Sequence, residues 1–250
     1  MSTPHTLAVC LDAPMQSWGL RSRFQNRDTA HEPTKSGVVG LLAAALGIPR
    51  ENTSDIQRLA QVRMGVRVDR EGLVERDFHT VNNVPNTAEK DHKTVISDRY
   101  YLADAVFLVV LEHPDRDKLL RWHAALHHPH WPLYLGRKAF VPARPLVHPD
   151  HTSTFLGVSS STLDETLDAH PWLENQPTSL HRATEALQQG REVPLRTLSD
   201  AEPTDELAEP RRDVPVSFAP GNHLFATRPV RTGHVQLTES LIHSGAHPCT

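Results

Sequence analysis

The segment Pro33–Pro49 (PTKSGVVGLLAAALGIP) carries both ends of a helix, and this constrains the chain more than any other feature. Thr34 stands where an N-cap belongs, and Val38, Leu41, Leu42 and Ala45 fall on one face at helical spacing. Gly47 sits at the position of a left-handed C-cap, with Pro49 just beyond it. Such a helix must lay its apolar stripe on something. The nearest partner upstream is Leu7–Leu11, a short apolar run closed by Asp12-Ala13-Pro14 that reads as a buried strand.

The pattern continues as strand and helix in alternation. Gln61–Val68 alternates as a strand does, Asp69–Gly72 turns, and Leu73–Val81 returns. Asn82–Lys93 is polar and irregular, and Thr94–Tyr101 is a further strand, so residues 76–101 form an extended polar hairpin. Ala105–Leu111 is strongly apolar, and Asp115–His127 reads as a helix. The order β-α-β, inserted hairpin, β-α predicts an α+β fold of ferredoxin-like type with an extra arm. From Ser159 to Asp213 the chain is acidic and proline-rich, which predicts a partly helical or mobile excursion. Val214–Phe218 and Leu224–Val230 are candidate final strands, and the tail from Gly233 is expected to be poorly ordered.

Charge is divided along the chain. Residues 1–150 hold 19 Lys+Arg against 17 Asp+Glu and residues 151–250 hold 7 against 13, so a net of +2 and a net of −6 make up the overall −4. Of the 26 basic residues 21 are arginine, whose planar fork of donors suits phosphates and base edges. No apolar run approaches the roughly 18 residues of a membrane helix. The N-terminus lacks a basic leader, and only Cys10 and Cys249 occur. A cytoplasmic protein without a disulfide framework is expected.

Three places invite a ligand. Lys35, Ser36 and Gly37 open the first helix, where free N–H groups and a partial positive charge attract phosphate; an ordinary cap with an incidental lysine is the plainer alternative. Leu135-Gly136-Arg137-Lys138 sets a glycine beside two cations, and Arg144 follows in a proline-framed segment, either a backbone-binding loop or a basic surface turn. Gln16-Ser17-Trp18-Gly19 leads to Arg21 and Arg23, so Trp18 either stacks on a base or fills the core. His123, His127, His128 and His130 lie close together, but no cysteine or carboxylate stands at matching metal-ligand spacing, and no metal or other cofactor is expected. Nucleophile elbows, phosphate loops and dinucleotide fingerprints are absent. A metal-independent ribonuclease could still draw on His79, Tyr100 or Tyr101, and Lys93 or Lys138.

The blocks Pro14–Gly19 (PMQSWG), Pro33–Ile48, Arg76–Val81 (RDFHTV) and Leu135–Lys138 with Pro145-Leu146 together resemble the fifth family of CRISPR-associated (Cas) proteins, in its subtype I-E branch CasD within the RAMP superfamily. Arg212–Phe218 resembles a later block more faintly, and residues 150–210 match no block. The resemblance implies a ferredoxin-like (RRM-like) palm over residues 1–150 with a β-hairpin thumb at about 76–101. Residues 151–250 would be an irregular C-terminal excursion plus final strands completing the fold. It further implies a non-catalytic, RNA-binding subunit of the type I-E Cascade that serves antiviral defence. Such a subunit caps the 5′ handle of the CRISPR RNA (crRNA), joins the CasC backbone and the CasA large subunit, and meets target DNA only indirectly. Lys35, Ser36 and Gly37 would then hold a phosphate, Gly136, Arg137, Lys138 and Arg144 the handle backbone, and Gln16 and Trp18 the handle bases, with His79 and Arg99 at the thumb base. Relatives of subtype I-C cut repeat RNA themselves with a tyrosine and an adjacent lysine and histidine. This sequence contains no Lys-His pair, and Lys138 is followed by Ala139.

Overall fold

The computed structural model describes residues 4–20, 25–86 and 91–244; Arg21, Arg23 and Cys249 lie outside them. In chain order the elements are β1 (His5–Asp12), β2 (Met15–Gln16), β3 (Asn26–Arg27), α1 (Lys35–Leu46), α2 (Thr53–Ala60), β4 (Arg63–Arg70), β5 (Leu73–Val84), β6 (Lys93–Ala103), β7 (Val106–His113), α3 (Arg116–His127), β8 (Val158–Ser159), α4 (Leu163–Ala169), α5 (Pro177–Gln188), β9 (Pro194–Asp200), β10 (Glu209–Ser217), β11 (Leu224–Gln236) and α6 (Glu239–Ser244). The fold is mixed α and β, built on a seven-stranded antiparallel sheet in the order β10-β11-β9-β4-β7-β1-β8. Segments on both sides of residue 150 share that sheet.

Two neighbouring strands carry much of its buried core. β1 and β7 are buried along almost their whole length because helices cover both faces. Side chains alternate between faces with period two. Leu7, Val9 and Leu11 therefore meet Val39 and Leu42 of α1 and Leu119 and Trp122 of α3 in one core. Ala8 and Cys10, with Leu108 and Val110, meet Leu163 and Leu167 of α4 in another.

α1 forms as its termini dictate: the Thr34 hydroxyl accepts from the Gly37 N–H at 3.2 Å, and Gly47 takes φ 71°. A second sheet joins β5, β6, β2 and β3. Its main part is the β5–β6 hairpin, in register from Leu73↔Ala103 to Val81↔Val95, with a bulge before Val84↔Lys93.

The stretch 159–213 is partly helical, as expected, through α4 and α5, and it adds β9; a capping box joins Thr162 and Glu165 at the start of α4. One expectation is corrected: residues 233–241 are not loose, since Gly233 pairs with Thr197, Gln236 pairs with Pro194, and Leu237 and Leu241 are buried. β11 changes partners at Val230, from β10 to β9, and so extends past the end of its first pairing. α2 has no counterpart in the sequence reading; it is eight residues long and starts at Asn52, whose side chain accepts from the Asp55 N–H. Among the described residues no helix is long and apolar enough to cross a membrane.

Candidate RNA-binding site

Three chain segments converge on a groove of about 730 Å³. Ser17–Gly19 forms one end, the exposed side of α1 from Ser36 to Ala44 forms the floor, and the segment Trp131–Lys138 forms a wall. The β10–β11 turn adds Phe218, His223 and Phe225. Two glycines make the convergence possible. A Cβ on Gly37 would stand 2.7 Å from the Trp18 ring, so only glycine lets the indole lie against the first turn of α1. Gly136, at φ 99°, would drive a Cβ to 2.0 Å from the Ser17 carbonyl oxygen. Ser17 N–H donates to the Leu135 carbonyl at 3.0 Å, so the two loops are joined backbone to backbone. Of the residues expected at a site, Ser36, Gly37, Gly136 and Lys138 thus line one groove.

A second group gathers beside it, at the base of the hairpin. β3 pairs with β6 so that Arg27 lies opposite Arg99, and Arg99 in turn pairs with Asp77 across β5. Arg137 donates to the Tyr100 carbonyl at 2.7 Å and stacks over the Phe140 ring at 5.3 Å. Burial first, then the neighbouring guanidiniums of Arg99 and Arg27, hold the Arg137 pKa below its ordinary value, and Asp77 only partly offsets them. Three arginines around one carboxylate leave an excess of positive charge that an anion would relieve. His79 is two residues from Asp77 on the same face of β5 and 3.9 Å from its carboxylate. Arg27 escapes sequence reasoning because nothing local links a two-residue strand to a partner some seventy residues later.

Four expected ligand residues are placed otherwise. Gln16 is fully buried: its amide donates to the Leu11 and Ala105 carbonyls and accepts from the Trp18 indole N–H at 3.3 Å. Trp18 is likewise core, 2% exposed, and supports the groove from beneath without offering a free stacking face. Lys35 is buried; its ammonium bonds Asp200 at 2.7 Å, and its backbone N–H donates to Asp213 at 2.9 Å. An internal carboxylate therefore already occupies the start of α1, and Lys35 is not open to phosphate. Arg144 is held by Asp12 at 2.9 Å and by the Leu173 carbonyl at 2.5 Å.

Of the groups named for the catalytic alternative, His79 and Lys93 lie apart. His79 faces Ser97, whereas Lys93 pairs with Val84 towards the hairpin tip, four residues or roughly 13 Å farther along the strand. Tyr100 and Tyr101, being adjacent in β6, point to opposite faces. Among the described residues no group of three or more His, Cys, Asp and Glu is placed to hold a metal. His123 instead bonds the His148 carbonyl at 2.8 Å, and His127 bonds His128.

The family model described as CRISPR-associated protein (Cas_Cas5) matches residues 6–231 of this chain. The chain belongs to the Cas5 family. Its Cas5 sequence is 35% identical, over 169 residues, to the CRISPR system Cascade subunit CasD of Escherichia coli K12, an alignment covering 62% of this chain and 72% of that protein. Two solved structures match this architecture nearly end to end. A chain in "CRISPR RNA-guided surveillance complex" matches with TM-score 0.74 and 28% identity over 95% of this chain and 92% of its own. "Crystal structure of Cas protein" matches with TM-score 0.68 and 38% identity over 95% and 97%. The family expected from PMQSWG and PTKSGVVGLLAAALGI is therefore the family found.

Proposed function

We propose that this Cas5-family chain is a subunit of a type I-E Cascade that binds the 5′ handle of the crRNA without cutting it. In this reading β4-β7-β1-β8 with α1 and α3 is a ferredoxin-like palm, and the β5–β6 hairpin is its thumb. Residues 1–150 supply the thumb and all of the palm but β8; residues 151–250 add β8 and widen the sheet. The handle is single-stranded and of fixed sequence, so protein side chains can read its splayed bases, while the variable spacer is left to base pairing. From the handle the subunit nucleates assembly with a CasC backbone and a CasA large subunit, and it meets target DNA only through them.

The observation that carries the reading is the juxtaposition of the groove with the arginine cluster. Ser36, Gly37, Gly136 and Lys138 come from segments a hundred residues apart and meet beside Arg27, Arg99 and Arg137. Cations at a rim and aromatic side chains in a wall are what single-stranded RNA requires. His79 and Lys93 stand apart along the hairpin, which favours a cap over an endoribonuclease built on that pair.

The test is salt-dependent binding of handle-bearing RNA to the Arg137→Ala/Lys138→Ala protein. Losing two phosphate contacts on a single strand should flatten the slope of log K against log salt by about 1.4. Arg137 also braces the hairpin, so Lys138→Ala alone, exposed and free of that role, should give about half the change. An unchanged slope in both proteins would contradict the assignment.

A further inference from the structure

Gly40 is a costly residue where it stands. It lies in the interior of α1, two turns from either cap, and has helical backbone. A glycine there weakens a helix relative to alanine, because it gives up more backbone freedom on folding and exposes the peptide. Its neighbours Gly37 and Gly136 have local reasons to lack a side chain, since a Cβ would strike Trp18 or Ser17. Gly40 has none: a Cβ built on it meets nothing within 4 Å. The space it opens is the floor of the groove.

The walls state what the space fits. Arg50, Lys138 and His223 stand around it, Trp131, Phe218 and Phe225 supply ring faces, and among the described residues no aspartate or glutamate lines it. That combination complements an anionic chain that also carries flat apolar groups. We infer that Gly40 is a specificity-determining residue: it keeps the floor bare so that one nucleotide of single-stranded RNA lies in van der Waals contact with the backbone of α1. The inference rests on the handle-binding reading above and adds the contact point, a part of the groove distinct from the arginine cluster.

The account predicts an unusual pairing of effects. Gly40→Ala should raise the Tm of the full-length protein by about 2–4 °C, as filling a helix interior with a better helix former does. The same substitution should weaken handle-RNA binding about tenfold, and Gly40→Leu about a hundredfold, as overfilling a packed contact does. The salt slope should stay that of the unaltered protein, because no phosphate contact is removed. A fall in Tm for Gly40→Ala would show that the glycine serves the fold, and would overturn the inference. So would unchanged RNA affinity in Gly40→Leu. If Gly40→Leu bound RNA normally but failed to enter a complex with the partner subunits, the groove would hold a protein segment, and the inference would again fail. These failures are separable from failure of the handle-binding reading. In that case the unaltered protein itself would not distinguish handle-bearing from handle-free RNA, and the Lys138→Ala slope would not move.

Discussion

Lys35 and Asp200 show how a residue that reads as a ligand can be a fastener. The Lys35 ammonium, the Arg228 guanidinium and the carboxylates of Asp200 and Asp213 form one buried, charge-balanced network, and Asp200 also accepts from the Met64 N–H. Removing a single partner leaves buried charge uncompensated. Lys35→Ala should therefore lower stability in urea by about 3 kcal/mol. It should leave the salt slope of RNA binding unaltered. An unchanged midpoint together with a flattened slope would mean that Lys35 reaches the RNA after all. The same logic accounts for much of the arginine excess. Arg67, Arg70, Arg144, Arg196, Arg211 and Arg228 all hold internal carboxylates, a task that a rigid fork performs better than an ammonium.

At the scale of elements, the joint between β4 and the α4–α5 region depends on one arginine and one histidine. Arg67 is fully buried and donates five hydrogen bonds, two to Asp69 and three to the carbonyls of Leu167, His170 and Pro171. Beside it the His170 ring donates through Nδ1 to the Pro171 carbonyl and accepts the Leu156 N–H on Nε2, which requires a neutral ring. Burial first, then the Arg67 charge, lowers its pKa to about 4. The folded pKa thus lies below that of the unfolded histidine, near 6.5. Above about pH 6.5 both states hold the ring neutral and no stability is lost. As pH falls from there towards 4, the unfolded chain takes up a proton that the folded chain refuses. Stability should then decline by about 3 kcal/mol across the window. Urea midpoints at pH 7.5, 5.5 and 4.5 for the unaltered protein and His170→Gln would check this: the variant should start less stable and depend less on pH. Identical slopes in the two proteins would remove His170 from the account.

The whole molecule shows which parts of a fold are written locally. β1, α1 with both caps, the β5–β6 hairpin, β7 and α3 were legible because each carries its own period or cap. The closing strands were only partly legible, since β9 and the end of β11 pair with segments whose identity no local pattern reveals. The split in charge was visible, but its use was not. Acids of the C-terminal part face inward to cations of the N-terminal part, as Asp200 does to Lys35 and Glu174 to Arg70, and Glu32 reciprocates with Arg196 and Arg211. For the candidate site, the loops that meet at the groove were legible, but the direction of each side chain was not. Gln16, Trp18, Lys35 and Arg144 turn inward towards partners that only the tertiary fold supplies, while Lys138 and the Gly136 turn face the groove.

The central claim is that this Cas5-family protein recognises the handle and leaves the RNA whole. It is tested most directly by incubating the full-length protein with end-labelled repeat RNA in the absence of divalent metal, then resolving the mixture on native and denaturing gels beside an RNA lacking the handle. The account predicts a shifted complex only with the handle-bearing RNA, and intact RNA on the denaturing gel. A single discrete cut within the repeat, or equal binding of the two RNAs, would contradict it.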